Sequence, residues 1–188
     1  MKSSLRAGAW LFLALAAGCA SDNARPPAAG APAAAFDLGG RIAVRDHEHG
    51  FSGALRWEHR ERNDQIWLST PLGQSFAQLQ SDADGATLTT ADHEQYRAAS
   101  IETLTHNAFG WRFPVAPLRH WVRGLPAPDL AEEGAERDGA GRLVRLVQDG
   151  WRVEFAYAQN AAVPARIEAG NGDAVIRVII DRFDQPPP

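Results

Sequence analysis

Lysine and cysteine are almost absent from this 188-residue chain: Lys2 is the sole lysine and Cys19 the sole cysteine. A lone cysteine excludes a disulfide framework, which needs pairs. No apolar run reaches the roughly 20 residues that a helix needs to cross a bilayer core. The chain also has no G-x-S-x-G elbow, no C-x-x-C and no G-x-x-x-x-G-K-[ST] loop, so the common nucleophile, dithiol and nucleotide sites are not written in it. A catalytic triad assembled only in space stays open. The six histidines are His47, His49, His59, His93, His106 and His120. None is paired at H-x-x-x-H spacing, and they read as surface or boundary residues.

What is present begins with an address. Lys2 and Arg6 precede an apolar run, Ala7–Ala17, that ends in small residues before Cys19. A charged start, a short apolar core and a small-residue end describe a secretory signal peptide over residues 1–18. Ala16-Ala17-Gly18-Cys19 has the lipobox arrangement of bacterial lipoproteins, with Ala16 where leucine is usual. Cys19 is therefore the expected lipid attachment site, taking a diacylglycerol and an N-acyl chain; the alternative is ordinary signal-peptidase cleavage near Ala16–Gly18 with Cys19 a spectator. Ala20 follows it, and a residue other than Asp there favours the outer membrane by analogy with such lipoproteins.

Cleavage before Cys19 leaves 17 arginines against 23 acidic residues, a charge of −6. That balance argues against nucleic acid or an anionic lipid surface as the main partner. Residues 19–35 hold three prolines and no large apolar side chain, the composition of a flexible tether. A single folded domain is expected over 36–184, followed by a Pro-rich tail, 185–188.

Within that domain the period is two. Arg41–Arg45, Leu55–Glu58, Ile66–Ser69, Trp151–Tyr157 and Val175–Phe183 read as strands. Asp46–Gly50, Glu61–Asp64, Asp82–Gly85, Asp138–Gly141 and Asn171–Asp173 read as turns. The middle is helical: Ser100 caps a helix carrying Ile101, Leu104, Ala108 and Phe109, and Pro117 opens a second with Leu118, Trp121 and Val122. Many short strands and two helices predict a mainly β antiparallel barrel or sandwich with a helical cover. The domain's tryptophans either fill a core or line a ligand cavity. Thr70-Pro71-Leu72-Gly73 reads as a tight turn with Leu72 at its bend, folded back on the sheet or left exposed.

Several segments together are similar to the LolB family of outer-membrane lipoproteins. They are Gly40–Val44, Gly53–Trp57, Thr70–Gln74, Gly110–Val115, Leu118–Pro126, Gln148–Trp151 and the strand ending at Phe183, in order across residues 36–184. The resemblance implies an incomplete antiparallel β-barrel, covered by short helices and enclosing an apolar cavity for acyl chains. It implies a monomeric receptor without a cofactor, anchored in the outer membrane and facing the periplasm. Such a receptor takes client lipoproteins from a LolA-like carrier and inserts them into the inner leaflet of that membrane. By motif, Pro71, Leu72 and Gly73 become the membrane-insertion loop, with Leu72 protruding. Strand parity and helical face nominate Leu55, Trp57, Trp111, Trp121, Trp151, Val153, Phe155, Ile176 and Val178 as cavity lining.

The job is energetically demanding. A triacylated cysteine carries about 45 methylenes, so exposing it to water costs about 35 kcal/mol at ~0.8 per methylene. A dry interior offsets that, and with no nucleotide motif the transfer must run downhill. Two rivals stand beside this reading: a structural lipoprotein scaffolding an outer-membrane assembly machine, and a periplasmic hydrolase.

Overall fold

The structure is a computed structural model that describes residues 34–46, 49–109 and 112–186. The signal peptide, Cys19, most of the tether and Trp111 lie outside the described residues. The strands are β1 Phe36–Asp46, β2 His49–Arg60, β3 Asn63–Ser69, β4 Ser75–Ser81, β5 Ala86–Thr90 and β6 Gln95–Ala98. Two helices follow, α1 Ile101–Phe109 and α2 Val115–Trp121. The chain closes with β7 Glu133–Arg137, β8 Leu143–Gln148, β9 Trp151–Ala156, β10 Arg166–Asn171 and β11 Ala174–Asp184.

All eleven strands form one antiparallel sheet in the order β6-β5-β4-β3-β2-β1-β11-β10-β9-β8-β7. The first and last strands pair at its centre, Ile42 opposite Val178 and Val44 opposite Ile176. The two ends of the sheet, β6 and β7, do not pair with each other. This is the incomplete antiparallel barrel that the alternating strands and the resemblance imply. Leu88 of β5 and Leu143 of β8, from opposite halves, belong to one buried cluster, so the sheet bends around a common core. Alternation does the sorting: on β9, Trp151, Val153 and Phe155 are buried while Arg152 and Glu154 are exposed, as period-two side-chain placement requires.

α1 packs against β4, β5 and β6, and α2 adds side chains to the buried cluster. Ser100 caps α1, its Oγ accepting the Thr103 N–H at 3.2 Å. The second helix starts two residues before the expected Pro117. Proline is tolerated in a helix's first turn because the N–H it lacks has no intrahelical partner there, so Pro117 did not mark the start. Val115, Leu118 and Trp121 form the buried face of α2, and Gly124 ends it with φ +71°.

Two expectations need correction. His59 is not a surface or boundary residue but is fully buried, because it shares its face of β2 with Leu55 and Trp57. Asp64 is not a turn residue: it lies inside β3 on the buried face with Ile66. The acidic stretch 129–138 supplies β7, an edge strand exposed at every position.

Candidate functional site: an apolar interior and an exposed turn

The eight described residues nominated as lining are gathered in one buried cluster. Leu55 and Trp57 come from β2, Trp121 from α2, Trp151, Val153 and Phe155 from β9, and Ile176 and Val178 from β11. Trp121 and Trp151 meet with ring centroids 6.4 Å apart. A cleft of about 650 Å³ between the helices and the β8–β9 and β10–β11 turns reaches this interior at Trp151. Pro114, Pro117, Pro128 and Leu130 supply apolar walls, and His106, Arg112 and His120 supply polar ones. Burial, with the nearby Arg123 and Arg119 charges, holds the His120 imidazole below its ordinary pKa.

Buried tryptophans bring N–H groups that must find acceptors. Trp57 Nε1 donates to Asp64 Oδ1 at 2.9 Å, and Trp121 Nε1 donates to Gln148 Oε1 at 2.9 Å. Asp64 is the more heavily used: Oδ1 also accepts from His59 Nδ1 at 2.9 Å. Its Oδ2 accepts from Ser81 Oγ at 3.1 Å and Arg119 Nε at 3.0 Å. Burial pushes the Asp64 carboxyl up, but the His59 hydrogen bond and the Arg119 charge outweigh it and hold the group below the usual carboxylate range. His59 Nε2 is buried without a hydrogen-bond partner among the described residues.

Sequence reasoning missed this polar cluster and the Gln148 bracket, which also bonds Ala127 and Leu130. One signal was available. Asp64 stands two residues before Ile66, on the inward face, and an inward Asp must be answered by donors.

The other feature is the β3–β4 turn. Gly73 N donates to Thr70 O at 2.8 Å and Thr70 N to Gln74 O at 2.8 Å, closing the tight turn expected from Pro71 and Gly73. Gly73 sits at φ +81°, a region that favours glycine. The base of the turn is fixed by Phe76, which stacks on Phe51 of β2 with centroids 4.4 Å apart. Leu72 does not fold back: it is 89% exposed, far beyond the partly exposed Phe76 and Tyr96. Moving that side chain from water into an apolar phase would gain about 1.5–3 kcal/mol.

The model of the family described as "Outer membrane lipoprotein LolB" matches residues 34–183. The chain belongs to the LolB family. Relatives named outer-membrane lipoprotein LolB agree with this. That of Azoarcus sp. strain BH72 is 40% identical over 154 residues, 80% of this chain and 79% of the relative. That of Nitrosomonas europaea is 37% identical, covering 79% of this chain and 72% of the relative. That of Thiobacillus denitrificans is 34% identical over 178 residues, 93% of this chain and 95% of the relative. Membership in the LolB family makes this an outer-membrane lipoprotein that serves lipoprotein localisation.

Proposed function

We propose that the chain receives the acyl chains of client lipoproteins from a LolA-like periplasmic carrier into its apolar interior and releases them into the inner leaflet through the Leu72 turn. It works as a monomeric binding protein without covalent catalysis, held to the membrane by lipid on Cys19. The exposure of Leu72 on a braced turn is the observation that carries this reading, since a leucine there gains only by entering an apolar phase. The buried face shared by β2, α2, β9 and β11 supports it from the other side: it offers an acyl chain the dry surface that a bilayer offers.

Acceptance needs the interior to open, because Trp57 and Trp121 are wholly buried in the closed form. The cleft at Trp151 is the natural way in, since it lies between the helices and the β8–β9 and β10–β11 turns. Binding must be strong enough to draw a client from the carrier and weak enough to lose it to the bilayer. Competition between a fluorescent fatty acid and a lipopeptide for the purified protein tests this. Displacement at a single class of sites is expected, and no detectable binding of either would sink the proposal.

A further inference from the structure

The sheet's outer face beside the Leu72 turn carries an arrangement that the reading above does not use. β3 leaves the sheet at Ser69, opposite Ala54, while β2 runs on to His49. The turn therefore lies against an uncovered stretch of β2, where a Cβ on Gly53 would come within 2.0 Å of Ser69 O. Two adjoining hollows, of about 400 and 280 Å³, lie on β2, β1 and β11 and share Ala43, Ser52 and Arg177. Pro71 walls the larger hollow, together with Ala54 and Ile179. The two linings contain three arginines, Arg41, Arg45 and Arg177, and no carboxylate.

Strand register makes this one continuous trough. Ala43 pairs with Arg177 on β11, Arg41 with Ile179 and Arg45 with Val175, so Arg41 and Arg45 flank Arg177 diagonally at cross-strand reach. Arg41 also donates to both carboxylate oxygens of Asp181, at 3.2 and 3.0 Å, and Arg177 pairs with Glu168 at 2.8 Å. The Arg177 contact uses Nε, so its terminal nitrogens retain donor capacity. Guanidinium is the side chain best suited to grip a phosphate.

We infer that this trough seats the phosphates of anionic phospholipids and so turns the Leu72 loop toward the bilayer. The inference rests on the Leu72 reading and adds to it an orienting contact of known sign. The mature chain at −6 is repelled by an anionic leaflet as a whole. Screening over about 8 Å at physiological salt lets each face act on its own, so a basic trough next to the inserting residue decides which side approaches. The small apolar floor of Ala43, Ala54 and Pro71 accommodates the glycerol and upper acyl carbons beside the headgroup.

The test uses the full lipidated protein with Leu72→Cys carrying an environment-sensitive dye, Cys19 being blocked by acylation. It is anchored in vesicles of phosphatidylcholine alone or with one-quarter phosphatidylglycerol. Dye burial should be greater in the anionic vesicles. Each basic residue near an anionic surface contributes about fivefold in partitioning, so the R41Q/R45Q/R177Q variant should lose at least tenfold there and nothing in neutral vesicles. The corresponding triple lysine variant should retain most of the gain. Burial that ignores both phosphatidylglycerol and the arginines would overturn the inference while leaving Leu72 insertion standing. Equal loss in neutral vesicles would also overturn it, as damage to the turn itself. A dye that stays in water in every vesicle would sink the Leu72 reading and the trough with it.

Discussion

Arg119 of α2 and Asp64 of β3, 55 positions apart in the chain, are joined by a hydrogen-bonded ion pair with Nε 3.0 Å from Oδ2. Two residues further along the same helix, Trp121 is bonded to Gln148 of β8. β3 and β8 lie on opposite sides of the central β1–β11 pair. One short helix is thus pegged by polar contacts to both halves of an open sheet. Apolar packing gives α2 its affinity for the sheet, and the pegs give it one position.

The Asp64 peg is testable through stability. Asp64→Ala leaves Arg119, His59 and the Trp57 N–H without their acceptor, all buried or half-buried. Breaking a buried ion pair from one side costs about 3–5 kcal/mol. Urea unfolding should show that loss, and Asp64→Asn, which keeps an acceptor oxygen but not the charge, should lose less. An Asp64→Ala midpoint equal to the parent's would mean that the cluster contributes nothing to holding the fold.

Acid should weaken the fold in two steps. The His120 pKa lies below its ordinary 6.5 because burial and two arginines disfavour the cation. Its contribution is complete above 6.5 and is lost as pH falls from there through the depressed folded value. The Asp64 pKa lies below its ordinary 3.8, so its contribution survives that first step and is lost only as pH falls beneath about 4. Thermal melts from pH 8 to 3 should show both declines. His120→Gln should flatten the first, and Asp64→Asn should reduce the second, which Asp92, Asp138 and Glu168, also held below their ordinary range, share.

Periodicity made the sheet legible because burial on one face imposes it. Trp151, Val153 and Phe155 could be assigned to the core from spacing, as could Ile176 and Val178. Strands such as β7 were not legible in the same way, because Glu133–Arg137 is exposed on both faces and carries no alternation. Asp64 and His59 were misread for a related reason: polarity suggested the surface, whereas their inward parity with Ile66 and Leu55 set their place. Pro71 and Gly73 announced a turn, but local chemistry could not say whether Leu72 folds back. That depends on Phe76 taking the place against Phe51, a contact between strands 25 positions apart. The anchor at Cys19 is read from sequence alone, being outside the described residues.

Anchoring and transfer should separate genetically. Cys19→Ala, produced behind a leader cleaved by the ordinary signal peptidase, removes the thiol that lipidation needs. The first strand begins at Phe36, and the sequence between it and Cys19 reads as a proline-rich tether. Fractionation should therefore find the variant in the soluble periplasm, with fatty-acid binding within about twofold of the parent. Retention in the membrane fraction would show that a second contact suffices for attachment. Loss of binding would show that the anchor shapes the interior.

Leu72→Glu isolates release from acceptance. At 89% exposure the side chain has almost no native packing to lose, so stability should change by no more than about 0.5 kcal/mol. On the proposed reading, client acyl chains are taken up by the buried face of β2, α2, β9 and β11, and uptake should proceed at close to the parental rate. Delivery is different, because an ionised carboxylate on the tip of the turn must enter hydrocarbon. A charge at the bilayer centre costs about 2.5–3.5 kcal/mol on insertion scales, while the leucine's own gain of about 1.5–3 kcal/mol is forfeited. Together these predict a drop in vesicle delivery of at least a hundredfold, with client accumulating on the variant. The measurement is a two-stage assay that counts client bound to the protein and client in vesicles. Equal loss of both stages would trace the defect to folding, and unimpaired delivery would remove the Leu72 turn from the release step.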